Sequence, residues 1–342
     1  MSLPLVAEQA TVIDQQSTLT SLPILLLHVH ESCNCRCVMC DIWKRERGAE
    51  LDLEILERHK ASLQSLNVRQ VVLTGGEPLL HTRLPALCAF LRESGAERIT
   101  LLSTGLLLRK HAEMVAASID EIYLSLDGPE EVHDRVRRVR SGFQLMREGI
   151  QSVRALAPEM PIHARMTIQN QNHVTLRAAV DAAKTLGVDS ISFLPADVTS
   201  QAFNRELIWP LERQSQVALT PSEVHALEAE IEALIDEYGD DLASGFIVER
   251  PEKLRRIARR FREQLGELAP VSPHCNAPWV SAVLEVNGDV RPCFFHPAIG
   301  NVREQSLEAA LNSPQAQEFR RTLDIESNPI CQRCVCSLHY KG

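Results

Sequence analysis

Aromatic residues make up only 4% of this 342-residue chain, which leaves little material for the stacking platforms that hold single-stranded nucleic acid. A net charge of −9 likewise excludes the basic surface that a nucleic-acid phosphate backbone requires. No apolar run is long enough to cross a bilayer. Residues 1–23 mix polar and apolar side chains, with Glu8, Asp14, Gln15 and Gln16 interrupting, so a positive start followed by an apolar run is missing and export is not expected. What remains is the composition of a cytoplasmic globular enzyme, 44% apolar and 24% charged, long enough for one large α/β domain with or without a smaller one.

Against that ordinary background the chain has ten cysteines. Four fall at Cys33, Cys35, Cys37 and Cys40, Cys88 stands alone, and five follow residue 274. In a chain without export signals, clustered cysteines indicate metal binding or catalysis rather than disulfides. Cys33, Cys37 and Cys40 have the spacing C-x3-C-x2-C, suited to holding three corners of a four-iron cube and leaving the fourth iron open. Zinc is the competing reading, with Cys35 as a fourth ligand. Three alternating cysteines on one short loop would strain that tetrahedron.

Short β-branched-rich runs alternate with helical patterns through the first two thirds of the chain. The runs are 24–29, 70–74, 98–103, 121–126, 162–168 and 190–194. Helical patterns cover 53–65, 84–94, 111–117, 142–156 and 175–186, with Gly95, Gly149 and Gly187 expected at or near helix ends. Runs apolar on both faces suit a parallel sheet covered by helices, and six units rather than eight suggest a partial (β/α)6 TIM-like barrel, open on one side. In such sheets chemistry gathers at the C-terminal ends of strands. The cysteine loop follows the first run, Gly75-Gly76-Glu77-Pro78 the second, Ser103-Thr104-Gly105 the third and Ser125-Leu126-Asp127-Gly128 the fourth.

The pattern then changes. Residues 221–238 read as an amphipathic helix with Val224, Leu227, Ile231 and Leu234 on one stripe, starting near Ser222. Residues 251–268 read as an arginine-rich helix with a solvated face. The cysteine-rich tail carries a hairpin signal, Ala282–Val286 and Val290-Arg291 around the turn Asn287-Gly288-Asp289. Three regions are expected: a barrel core over 20–205, a helical connector over 206–268 and a cluster-binding module over 269–342.

The C-x3-C-x2-C loop after strand one and the Gly-Gly-Glu-Pro after strand two resemble the marks of the radical S-adenosylmethionine (SAM) superfamily. The resemblance implies a [4Fe-4S] cluster on Cys33, Cys37 and Cys40, with SAM on its open iron. Reductive cleavage of SAM would give a 5′-deoxyadenosyl radical that takes a hydrogen atom from substrate. It places Gly75, Gly76, Glu77 and Pro78 at the methionine amino group, and Ser125 and Asp127 in the strand-four segment that contacts SAM. Arg137, in the run His133-Asp134-Arg135-Val136-Arg137, would pair with the methionine carboxylate unless it is a surface arginine. Thr104 stands where relatives often have asparagine, and Met39 where many have an aromatic residue against adenine. Arg165 and Leu194, at strand ends, complete the expected cofactor-binding set, and Cys35 is expected to pack behind the loop.

The tail resembles the auxiliary-cluster module called twitch, a shortened relative of the SPASM domain. The shared pattern is Cys275, a hairpin with Gly288, Cys293 after four intervening residues, then Cys331 and Cys334. This implies one auxiliary [4Fe-4S] cluster, with a zinc ribbon as the alternative and Cys336 left over as a candidate hydrogen-atom donor. An auxiliary cluster suits oxidation of a small polar metabolite such as a sugar, cyclitol or nucleoside; epimerisation and bond formation are other outcomes. Only about twenty residues precede the first strand, too few for a fused leader-binding domain, so a peptide substrate is second choice. His163, Arg165, Asp197 and Glu285 are substrate-facing candidates, and the electron donor is expected to be of flavodoxin or ferredoxin type. A non-catalytic iron–sulfur or zinc scaffold would have no need of Gly75–Pro78.

Overall fold

A computed structural model describes residues 17–45, 48–202 and 207–341, so the N-terminal stretch read above for export signals lies, up to residue 16, outside the described residues. The chain forms two compact units, one from 17–32, 48–100 and 271–341, the other from 33–45, 101–202 and 207–270.

The first unit is organised on β1 (Ile24–His30), whose seven residues are all buried. β2 (Gln70–Gly75) pairs with it in parallel on one side, Ile24 opposite Gln70. On the other side β7 (Ser281–Leu284) also pairs in parallel, Ile24 opposite Ser281. β1 is thus an interior strand, which accounts for its unbroken apolar run. β8 (Asp289–Arg291) folds back antiparallel on β7, and β9 (Gly300–Asn301) on β8. The hairpin turn has Gly288 at φ +93°, where a Cβ would lie 2.7 Å from Asn301 Oδ1. The helix expected over 53–65 is two, Leu53–Glu57 and Lys60–Ser65. The break falls at His59, whose ring takes up tertiary bonds instead: Nε2 to Val302 O at 2.9 Å, and Nδ1 accepting from Leu307 N at 3.3 Å.

In the second unit β4 (Glu121–Ser125), β5 (Ile162–Ile168) and β6 (Ser190–Pro195) form parallel pairs in that order. Arg98–Ser103, β3, carries the chain from one unit to the other. The fold class read from the sequence holds: α/β with parallel strands at its core and a small strand-and-helix module at the C-terminal end.

Three details of the sequence reading are corrected. Gly149 is not at a helix end but inside the helix Gly142–Leu156. It is small because the helix Leu108–Ser118 crosses there: a Cβ would lie 2.6 Å from Leu108 Cβ and 3.1 Å from Gly105 O. The helix Pro221–Glu237 is capped by Thr220 rather than started at Ser222, with Thr220 and Glu223 forming a reciprocal capping box and Pro221 in the first turn. A helix over Glu130–Arg137 was not expected, since its residues are too charged to give an apolar stripe. The stripe Val224, Leu227, Ile231 and Leu234 is buried as read, and Arg255 and Arg262 meet Glu232 and Glu228 at 2.6 Å.

Gly149→Ala is expected to destabilise the chain by about 1–3 kcal/mol through overpacking. Thermal unfolding of the metal-free protein checks this; an unchanged midpoint would show that the two helices can separate at no cost.

Candidate active site and auxiliary metal centre

All ten cysteines are free thiols. In the second unit the cysteine loop is bound along its backbone to the end of the helix Glu130–Arg137: Arg36 N donates to Arg137 O and Val38 N to Val136 O, both at 3.1 Å. Each expected ligand sulfur accepts an N–H. Cys33 Sγ takes Cys35 N at 3.4 Å, Cys40 Sγ takes Ile42 N at 3.4 Å, and Cys37 Sγ takes Arg137 Nη1 at 3.5 Å. Such donors stabilise thiolate and cluster charge. The hydrogen bond from Cys35, together with the Arg137 cation, brings the Cys37 thiol down to about 7 in spite of its burial. Cys35, 2% exposed, is hydrogen-bonded to both neighbouring cysteines and desolvated, which pushes it the other way. That fits the expectation that Cys35 packs behind the loop.

Arg137 is buried, not on the surface. Its Nε lies 2.6 Å from Asp127 Oδ2. Asp127, wholly buried, also accepts from Thr167 N at 3.1 Å through Oδ1, while its backbone carbonyl accepts from Asn172 Nδ2 at 3.1 Å. His133 Nδ1 accepts from Asp127 N at 3.3 Å, and burial, then the nearby Arg137 cation, pushes His133 down to about 3. The two quoted runs, Ser125–Gly128 and His133–Arg137, therefore meet as one buried polar network behind Cys37.

Further residues hold the loop that the sequence did not single out. Trp209 Nε1 donates to Asp41 Oδ2 at 2.7 Å, Arg213 donates to Val38 O, and Arg213 lies 4.0 Å over the Trp209 ring. Met39 packs against the cluster Val38, Ala196, Val198, Trp209 and Val217 and accepts from Gln169 Nε2 at 3.5 Å. Thr104 Oγ1 bonds Asn34 Oδ1 at 3.1 Å. On β5, alternate burial puts His163, Arg165 and Thr167 on one face. Arg165 Nε donates to Ser192 Oγ at 3.0 Å and its guanidinium lies 5.2 Å from the Tyr123 ring centre, while Ser125 stands opposite Arg165 in register. His163 bonds Ser190 Oγ at 2.8 Å, and Leu194 is half-buried on β6. Asp197 is taken up by its own loop, accepting from Thr199 N at 3.1 Å.

In the first unit, Gly75 sits at φ +133°, with its Cβ position only 2.5 Å from His30 O. No side chain fits there. Gly76 N donates to the same carbonyl at 2.7 Å and Glu77 N to Ser32 O at 2.9 Å. Glu77 is fully buried; its Oε1 caps the short helix Pro78–Leu80 by accepting from Leu79 N at 3.1 Å.

Also in the first unit, Cys275, Cys293, Cys331, Cys334 and Cys336 line one apolar cavity. Burial pushes Cys293 up to about 12 and Cys331 to about 11. Thiolates in such surroundings need metal cations to neutralise them. Among the described residues no three Cys, His, Asp or Glu side chains converge on a point that would hold a single ion. Five cysteines lining one apolar cavity are a donor set of the kind that holds an iron–sulfur cluster, whose irons are bound by thiolates. His296 was missed: 3% exposed, it lies with Nε2 3.4 Å from Cys331 Sγ, and burial pushes it down to about 4. A histidine three residues past Cys293 was the available signal. Glu285, expected near substrate, pairs with Arg291 at 2.7 Å in the hairpin.

Parallel strands with a three-thiolate loop, and a second, five-cysteine cavity, define an iron–sulfur enzyme of the α/β class. The profile of the Radical SAM superfamily matches residues 27–195, and that of the SPASM iron–sulfur cluster-binding domain matches 275–335. The chain is a radical SAM enzyme with a C-terminal SPASM-type module; it binds SAM with a [4Fe-4S] cluster in the first region and auxiliary iron–sulfur in the second. It is similar to the Fe-coproporphyrin III synthase of Methanosarcina barkeri, 24% identical over 83% of this chain and 72% of that one. GTP 3',8-cyclase 1 of Pseudomonas aeruginosa is 26% identical over 80% and 79%. The subtilosin biosynthesis protein AlbA of Bacillus subtilis is 23% identical over 89% of this chain, but the match spans only 62% of AlbA. Among solved structures, anSMEcpe with bound AdoMet shares the fold at TM-score 0.64, with 18% identity over 91% of this chain and 86% of that one. Streptococcus suis SuiB bound to S-adenosylmethionine does so at 0.61, with 15% identity over 95% and 74%. No helix among the described residues is long and apolar enough to cross a membrane.

Asp127→Ala would leave Arg137 buried without its carboxylate, and is expected to cost about 3–5 kcal/mol. Chemical denaturation of the metal-free chain measures it; a loss under about 1 kcal/mol would mean that Arg137 finds another partner.

Proposed function

We propose that Cys33, Cys37 and Cys40 ligate the SAM-binding cluster, and that the chain oxidises or epimerises a small polar metabolite such as a sugar, cyclitol or nucleoside. When bound, SAM and the reduced cluster supply a 5′-deoxyadenosyl radical that removes a hydrogen atom, and the auxiliary cluster supplies an acceptor for the electron that the substrate radical gives up along with a proton. The observation that carries this reading is the pairing of two thiolate sets: three sulfurs each given an N–H donor, and a cavity lined by five further cysteines. Four of the five, Cys275, Cys293, Cys331 and Cys334, are the proposed auxiliary ligands, with Cys336 free to return a hydrogen atom if the outcome is epimerisation. The electron entering the first cluster comes from a cytoplasmic donor of flavodoxin or ferredoxin type.

The chain's own residues bind and orient. Gly75–Pro78 offers close backbone approach for the methionine ammonium, with the Glu77 carboxylate behind it. Arg137 is spent on Asp127 and Cys37, so the methionine carboxylate is assigned instead to Arg165, with Ser125 beside it. Arg165 is fixed at Nε and stacked on Tyr123, which leaves its terminal amino groups for a ligand. Met39, Thr104 and Leu194 are the proposed neighbours of the nucleoside. The polar β5 and β6 face, with His163, Ser190 and Ser192, favours a hydroxyl-bearing substrate. The second reading, a peptide substrate, draws on the match to AlbA, a bacteriocin biosynthesis protein, across most of this chain.

Anaerobic reconstitution with iron and sulfide is expected to give about eight irons per chain, and SAM with dithionite is expected to yield 5′-deoxyadenosine. Cys37→Ala should abolish the cleavage and leave about four irons. Zinc-filled, colourless protein without cleavage would contradict the reading. Arg165→Ala should weaken SAM binding by roughly 10- to 100-fold in equilibrium binding to the reconstituted protein, as expected when a charged hydrogen bond is lost. Unaltered affinity would return the carboxylate to another group.

A further inference from the structure

We propose that His296 donates a hydrogen bond from Nε2 to the sulfur of Cys331 and thereby raises the reduction potential of the auxiliary cluster. The inference rests on the reading that Cys331 is one of that cluster's ligands. Cys331 Sγ lies 3.4 Å from Nε2, and His296 has no other side-chain hydrogen bond among the described residues. The imidazole is only 3% exposed, so water does not compete for its N–H.

The ring is held in place from two sides. The Phe319 ring lies edge-on at a centroid distance of 4.9 Å with an interplanar angle of 66°. The backbone of His296 is fixed by Arg291 Nη1, which donates to its carbonyl at 3.1 Å, while Arg291 Nε donates to Glu285 Oε1 at 2.7 Å. The hairpin that carries Cys293 at its exit therefore also positions the donor that faces Cys331. A residue needed only to fill apolar space would be met by leucine or phenylalanine; a buried imidazole whose one side-chain partner is a sulfur indicates a polar task.

Adding one electron to the auxiliary cluster adds one negative charge to an assembly whose cysteines are half-buried around an apolar cavity. An N–H aimed at one of those sulfurs stabilises the reduced form more than the oxidised form, because the reduced form places more charge on sulfur. Removing the donor lowers the potential and makes the cluster a poorer acceptor for the substrate-derived electron. His296 is in this sense a positioning residue for charge and need not touch substrate.

The test is an equilibrium redox titration of the full-length chain, reconstituted with iron and sulfide and carrying Cys33→Ala, Cys37→Ala and Cys40→Ala so that only the auxiliary cluster contributes. Dithionite and mediators set the potential, and EPR follows the reduced signal. With His296→Phe the midpoint is expected at a more negative potential than in the parent, with the same iron content. His296→Gln, which keeps an N–H, is expected between the two. An unchanged midpoint in His296→Phe with iron retained would overturn the proposal. Loss of iron together with a changed EPR line shape in both His296 variants would overturn it too, by making His296 a ligand. If instead Cys331→Ala keeps the parent's iron content and EPR signal, it is the ligand reading of Cys331 that fails.

Discussion

A thiolate held away from water has to be answered by cations or by N–H donors, and both cysteine clusters of this chain are organised around that requirement. At the first, every expected ligand sulfur already accepts an N–H: two come from the loop's own backbone and the third from Arg137. At the second, burial pushes the thiols Cys293 and Cys331 up, and metal binding, which needs thiolate, would draw their protons off. Donors reach the second set as well: Ala277 N donates to Cys275 Sγ at 3.4 Å, and His296 Nε2 lies 3.4 Å from Cys331 Sγ.

The surrounding structure supports each centre in its own way. The helix Glu130–Arg137 gives the first cysteine loop two backbone anchors and one guanidinium, and Asp127 holds the guanidinium in place. Trp209 and Arg213 grip the same loop at Asp41 and Val38. The tail cysteines are organised by a hairpin whose first strand pairs in parallel with β1, so the auxiliary centre is built onto an interior strand of its own unit. A centre that exchanges electrons benefits from such rigid support, since movement of the ligands would shift its potential.

Much of this was legible in the sequence where the signal is local. All six strands of the parallel series begin where the runs begin and end within one residue of them, five because burial on both faces leaves a largely apolar pattern and β5 because its alternate residues are buried. The two cysteine groups and Gly75–Pro78 were readable because spacing and a required left-handed glycine are local facts. The rest depended on distant partners. Gly149 reads as a helix end until Leu108 is known to cross it. Arg137 reads as a SAM partner or a surface cation, and only the fold shows that it is buried, with Asp127 2.6 Å away. Asp197 and Glu285 read as substrate-facing, and the sequence gives no sign that Thr199 N and Arg291 bond them. His296 gives no periodic signal; only the fold sets it against Cys331, 35 residues further on.

The central claim is that Cys33, Cys37 and Cys40 leave one iron open for SAM. EPR spectra of the reduced, reconstituted protein recorded before and after addition of SAM test it most directly. SAM is predicted to alter the signal of one cluster, leave the auxiliary signal unchanged, and have no effect once Cys37 is replaced by alanine. A spectrum that SAM leaves untouched, in protein holding both clusters, would contradict the open iron and the account built on it.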